Sequence, residues 1–293
     1  MSQKLTIVVT CTDRKSLAVS EQMRLRSLPN SHSMVAAWTR RIEGAEHVTP
    51  LRKLYQGDAW SQLPHLEEAS RAVGFEPETY VASAGLGLRP VSDVGPAYGA
   101  TFTPNQPDSV PGSPTDQRAW WDKLNEWNGS RGGLPDANPA LFVLSQRYAD
   151  VLAPLVAKTA NANSVLVVGG SDAISSSLRL PADAKLRSAL GGTLGALNMR
   201  TAVAWMRRLS SAEIDSPSVR EVWHEWAAGA SRYERYERTP LADRDVLEAV
   251  RLIRAREPAI SKTRALRSLR ENGFACEQKR FTQLFESARG GAS

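Results

Sequence analysis

Residues 5–16 read Leu5-Thr6-Ile7-Val8-Val9-Thr10-Cys11-Thr12-Asp13-Arg14-Lys15-Ser16. The first half is apolar or β-branched at every position, which predicts a strand covered on both faces, as in the middle of a parallel sheet. The second half crowds an acid, two bases and two hydroxyls into the turn beyond it. Residues 79–83, 141–145 and 164–168 repeat the apolar run, and helical spacing fills 34–46, 58–73, 117–127 and 146–159. Strands alternating with helices predict an α/β fold with a central, mostly parallel sheet flanked by helices.

The chain of 293 residues, 42% apolar and 23% charged, has enough apolar material for one large core with a smaller appended one. The first apolar run is far too short to cross a bilayer and lacks the flanks of a signal peptide, so a cytoplasmic protein with no membrane partner is expected. Cys11 and Cys276 lie in different parts of the chain, and His32, His47, His65 and His224 lack ligand spacing. Neither a disulfide framework, nor a metal, nor a cofactor is expected.

Residues 103–116 carry Pro104, Pro107, Pro111 and Pro114 and are expected to form a long exposed loop. Residues 129–139, rich in Gly, Asn and Pro, are a second one; loops of this length suit a lid or a substrate groove. From residue 186 onward the apolar spacing is helical over 199–209, 218–228 and 241–256, which divides the chain into an α/β domain, 1–185, and a helical region, 186–293. Ser261 is a good N-cap, Gly273 a good helix stop, and a second helix comes next over 277–288, so 261–288 reads as a helix-turn-helix. A plain helical hairpin packed on the core is the alternative.

Charge points the same way. The net charge is +6, and from Arg251 to the end there are ten Lys or Arg against four Asp or Glu, so the preceding residues are near neutral. A basic segment on a neutral body suits a polyanion such as double-stranded DNA. Lys262, Arg264, Arg267 and Arg270 are placed for phosphates, and Gln278, Lys279, Arg280 and Gln283 for a groove, with Leu266, Leu269, Phe281, Leu284 and Phe285 inside.

Ligands of parallel α/β sheets bind beyond the carboxyl ends of the strands. Asp13 is there for water activation, and Arg14 and Lys15 for an anion, unless Thr12 or Asp13 simply caps a helix. The fourth strand ends in Gly169-Gly170-Ser171-Asp172, which brings a second carboxylate to that edge and lets Asp13 and Asp172 face one pocket. The segment 191–198 lacks the Lys of a P-loop, although Asn198 and Arg200 remain candidates for a base or a phosphate. Trp120 and Trp127, seven residues apart on one helix, are expected in packing.

The order Cys11-Thr12-Asp13-Arg14-Lys15, then Leu54-Tyr55-Gln56-Gly57, Ser83-Ala84-Gly85-Leu86-Gly87-Leu88-Arg89-Pro90 and Tyr98-Gly99-Ala100-Thr101-Phe102, resembles the YaaA-like proteins. Those carry a post-strand Lys loop, a Leu-Tyr-x-Gly element, a Ser-x-x-Tyr-Gly-Leu-x-x-Pro segment and a Pro-Tyr motif. Leu86 departs from the pattern, standing where an aromatic is common. The group is similar, at a distance, to the uracil-DNA glycosylase superfamily, in which the loop after the first strand positions the hydrolytic water and a late loop closes on the nucleotide. Those positions fall on Asp13 and on Ser171-Asp172.

The resemblance implies a uracil-DNA-glycosylase-like sheet and a phage-defence DNA glycosylase that excises a bulky modified base, glucosylated hydroxymethylcytosine being the leading example. Asp13, Asp172 and Lys15 become the catalytic candidates. Thr12, Arg14, Tyr55, Gln56, Gly57, Ser83, Gly85, Tyr98, Ser171 and Asn198 become substrate-binding candidates, with Arg200 and the basic tail on DNA. A base-exchange or nucleotide-modifying transferase, and a non-catalytic DNA-binding protein, are the rival readings.

Overall fold

Strands β1 (Gln3–Thr10), β2 (Phe75–Ser83), β3 (Gly87–Pro90), β4 (Ala140–Leu144), β5 (Val165–Gly169) and β6 (Arg179–Leu180) form one sheet ordered β3-β2-β1-β4-β5-β6. The computed structural model describes residues 2–29, 34–135, 138–233 and 238–288. All neighbouring strands are parallel except β2 and β3, which form a hairpin. The register pairs Val9 with Val81 on one side and Val143 on the other, so the carboxyl ends of β1, β2 and β4 reach one edge of the sheet. Leu5, Ile7, Val8, Leu141, Phe142, Leu166 and Val167 are fully buried, as continuous apolar runs require.

Helix α1 (Met34–Glu43), α3 (Pro114–Asn128) and α4 (Gln146–Ala160) are one packed set, and α2 (Leu63–Ala72) and α5 (Leu197–Met206) are another, with α6 (Pro217–Ala230) next in the chain. The helix expected over 58–73 is broken at Gln62 into Asp58–Ser61 and Leu63–Ala72. Pro64 is the cause, since it fits the first turn of a helix but has no amide to continue one. The loop expected over 103–116 gives way to helix at Pro114, where Ser113 accepts from the Asp116 amide and Asp116 accepts from that of Ser113. In the second expected loop, residues 136–137 lie outside the described residues.

The division of the chain differs from the one read in the sequence. One unit is Met1–Arg232 and the other Tyr233–Ser293, not 1–185 and 186–293. Met199, Val203, Trp205, Met206 and Trp223 belong to the same core as the strands, so α5 and α6 are part of the α/β body. Helical periodicity shows that a face is apolar, not which surface covers it.

The second unit contains α7 (Asp243–Arg256), α8 (Lys262–Glu271) and α9 (Gln278–Ser287) around its own core of Val246, Val250, Ile260, Ala265, Leu266, Leu269, Cys276, Phe281 and Phe285. Ser261 caps α8 by accepting from the Arg264 amide, and Glu277 caps α9 by accepting from the amides of Lys279 and Arg280. Gly273, at φ +81°, makes the left-handed stop between them. Among the described residues no helix is long and apolar enough to cross a membrane.

Candidate active site

The connection from β1 leads to β2 on one side of the sheet, while β4 and β5 lie on its other side. The carboxyl ends of β1 and β4 therefore flank the point where the winding reverses, the usual ligand crevice of such sheets. Residues 11–16 leave β1 there. Three bonds fasten this loop to the turn at residues 54–57, with the Thr12 hydroxyl donating to the Gln56 carbonyl (2.8 Å), the Gln56 amide to the Arg14 carbonyl (2.9 Å) and the Ser16 amide to the Leu54 carbonyl (2.8 Å). Thr12 and Gln56 are thus parts of a clasp, and Gly57, at φ +107°, lets the chain turn directly into the next helix.

Beneath the clasp lies a chain of buried hydroxyls. Ser83 accepts from the amides of Gly85 (3.2 Å) and Leu86 (2.9 Å), so its own proton is free to donate to the Tyr98 hydroxyl, 2.5 Å away. Tyr98 in turn contacts the Tyr55 hydroxyl at 2.8 Å. Burial pushes both phenols well above the ordinary tyrosine value. Gly85 is required by contact: a Cβ there would come within 2.5 Å of the Tyr98 ring. Tyr55, Tyr98, Ser83 and Gly85, expected to bind substrate, are a closed floor instead. A tyrosine ring with no exposed face has none to offer a base, and Leu86 is equally buried.

The Lys15 side chain lies on this floor. Its Nζ donates to the carbonyls of Thr12 and Asp13, both at 3.0 Å, and lies 4.6 Å from the Tyr98 ring centroid and 5.7 Å from that of Tyr55. Burial lowers its pKa below the ordinary lysine value, outweighing the opposing fields of Cys11 and Asp13. Cys11 contacts the Tyr148 hydroxyl at 3.0 Å, which also accepts from the Ala84 amide. Asp13 and Arg14 are exposed, and among the described residues the Asp13 carboxylate has no protein partner.

Asp172 has a partner of its own: its side chain is fully exposed and pairs with Arg179 of β6 at 2.9 Å. Ser171 is buried in its own turn, accepting weakly from the Ala173 amide. Asn198 does reach the crevice: with Thr10, Trp60, Val143 and Ser145 it lines a cavity of about 40 Å³, and its amide donates to the Leu144 carbonyl. Arg200 is not free for DNA. It bonds Asp58 at 2.7 Å, whose other oxygen accepts from the Thr193 amide.

Lys262 pairs with Glu286, Arg264 with Glu257 and Arg267 with Glu271, all on the surface. Gln278 and Lys279 are exposed on the first turn of α9. Arg280 is a fastener instead, holding Asp243 of α7 and the Leu241 carbonyl.

Sequence reasoning missed Tyr148, Asp58 and the role of Trp38 and Trp120, whose indoles donate to the Gly85 and Ala84 carbonyls and lock the turn after β2. The spacing of Tyr148 with Leu152, both buried on α4, marked it as core but not as a hydroxyl aimed at Cys11. Comparison with protein-family models, curated proteins and solved structures finds no match.

Proposed function

We propose that the protein is a DNA glycosylase, which flips a modified base out of duplex DNA and hydrolyses its glycosidic bond at the loop of residues 11–16. The observation that carries this reading is the pairing of an exposed, unpartnered Asp13 carboxylate with a half-buried Lys15 in one clasped loop at the crevice edge. Departure of the base leaves an oxocarbenium-like sugar, which a carboxylate stabilises while orienting water. Asp13 is assigned that role, and exposed Arg14 a flanking phosphate. The flipped nucleotide enters from the open side of the loop, since Tyr55 and Tyr98 are covered.

The resemblance of the four motifs to the YaaA-like proteins supports the reading, because the residues that carry it converge on one cluster: Lys15, Tyr55, Ser83 and Tyr98. The exposed basic side chains of the second unit supply the grip on DNA, the helix-turn-helix being the docking mode proposed for α8 and α9. Duplexes carrying different modified cytosines, glucosylated hydroxymethylcytosine among them, are incubated with the protein and assayed for abasic sites. Release of free base in plain buffer is expected, with Asp13→Asn slower by about a hundredfold or more. A requirement for a small-molecule co-substrate would indicate a transferase, and binding without release would indicate a regulator.

A further inference from the structure

We propose that Lys15 gives this protein a second activity, cleavage of DNA at abasic sites through a covalent imine. The inference rests on the reading of the 11–16 loop as the base-excision site, but its substrate is the product of that reaction.

Three observations carry it. The Lys15 Nζ donates to two backbone carbonyls, those of Thr12 and Asp13. These two acceptors hold the amine in place, and in its neutral form they take both of its N–H bonds and leave the lone pair uncommitted. The tyrosine floor is closed behind it, with Tyr55 and Tyr98 at 2% exposure or less, so a reacting carbon has no approach to the amine from beneath. Asp13, whose own carbonyl accepts one of the two bonds, places a solvent-facing carboxylate two residues away. Burial also favours the neutral amine, in the direction that an imine-forming lysine needs.

The chemistry balances without a redox partner. An abasic sugar opens to an aldehyde at C1′, the Lys15 amine adds to it with loss of one water, and the resulting imine takes up one proton from solvent. A carboxylate, for which Asp13 is the available group, takes a proton from C2′. The electron pair expels the 3′ phosphate, which breaks the strand, and water then hydrolyses the imine to return the lysine.

The full-length protein is incubated with a duplex carrying one abasic site, made separately by removing uracil, with and without borohydride. A protein–DNA adduct stable to denaturing gels is expected with the reductant, and a β-elimination nick without it. Lys15→Ala and Lys15→Arg are expected to lose both, and the arginine variant, which keeps a hydrogen-bond donor on a stem of similar length but has no nucleophilic amine, tests chemistry apart from folding. Adduct yield should rise with pH through a midpoint below the ordinary lysine range. No adduct at concentrations that shift the duplex, no binding of it, or an adduct that persists in a folded Lys15→Arg protein, would each overturn the proposal. Base release from modified DNA is a separate measurement, so the glycosylase reading stands or falls without it.

Discussion

At the scale of single residues, the site is defined by which polar groups are left over once the protein has used the rest. Thr12, Ser83, Tyr55 and Tyr98 spend their side-chain hydrogen bonds on one another and on backbone, Gln56 gives the clasp its main chain alone, and Asp13 and Arg14 face outward unpaired in the loop among the described residues. That split predicts opposite phenotypes. Asp13→Asn is expected to leave stability unchanged and, on the proposed function, to slow base release. Tyr98→Phe removes the middle hydroxyl of a buried chain and strands those of Ser83 and Tyr55, at a cost of about 1–3 kcal/mol. Urea titration reads it as a lower midpoint with an unchanged slope; an unchanged midpoint would show that the hydroxyl chain contributes nothing.

At the scale of elements, Asp58 is the most informative joint. It begins the short helix after Gly57 and, through Arg200 and the Thr193 amide, ties that helix to α5 and to the glycine-rich turn before it. Burial by itself would raise the Asp58 carboxyl; its bonds to the Arg200 guanidinium and Thr193 amide outweigh this and hold it below the ordinary aspartate range. A depressed carboxyl stabilises fully above its unfolded value, about pH 3.9, and the contribution is lost as pH falls through the folded value. Asp58→Asn is therefore expected to lower stability by about 1 kcal/mol at neutral pH, with the gap to wild type closing in acid. Thermal melts across pH 2–7 check both; a constant gap would mean that packing, not charge, makes the joint.

At the scale of the molecule, two units with separate cores divide the proposed labour, and charge decides how the second is tested. The exposed pairs Lys262–Glu286 and Arg267–Glu271 contribute little in water, so a phosphate readily takes the place of either acid. Lys262→Ala and Arg267→Ala are each expected to weaken DNA binding alike for all sequences and to reduce the slope of log affinity against log salt by about one. Slopes equal to that of wild type would count against this unit as the proposed DNA surface. Much of this architecture was legible beforehand: the β1, β2, β4 and β5 runs could only be inner strands, and Ser261, Gly273 and the apolar spacing fixed α8 and α9. The β3 hairpin was hidden inside a segment read as a ligand loop, because Gly85 and Gly87 mark a turn without specifying that the chain returns from it as a strand. The sequence alone determined the α/β class, the placing of Asp13 and Lys15 after the first strand and the basic character of the C-terminal segment, since these derive from periodicity, strand order and charge. Only the tertiary structure decided that α5 and α6 belong to the body, that Asp172 is paired with Arg179, and that Tyr55 and Tyr98 are floor and not pocket wall. Each of those depends on burial and on partners distant in the chain, which local pattern does not encode.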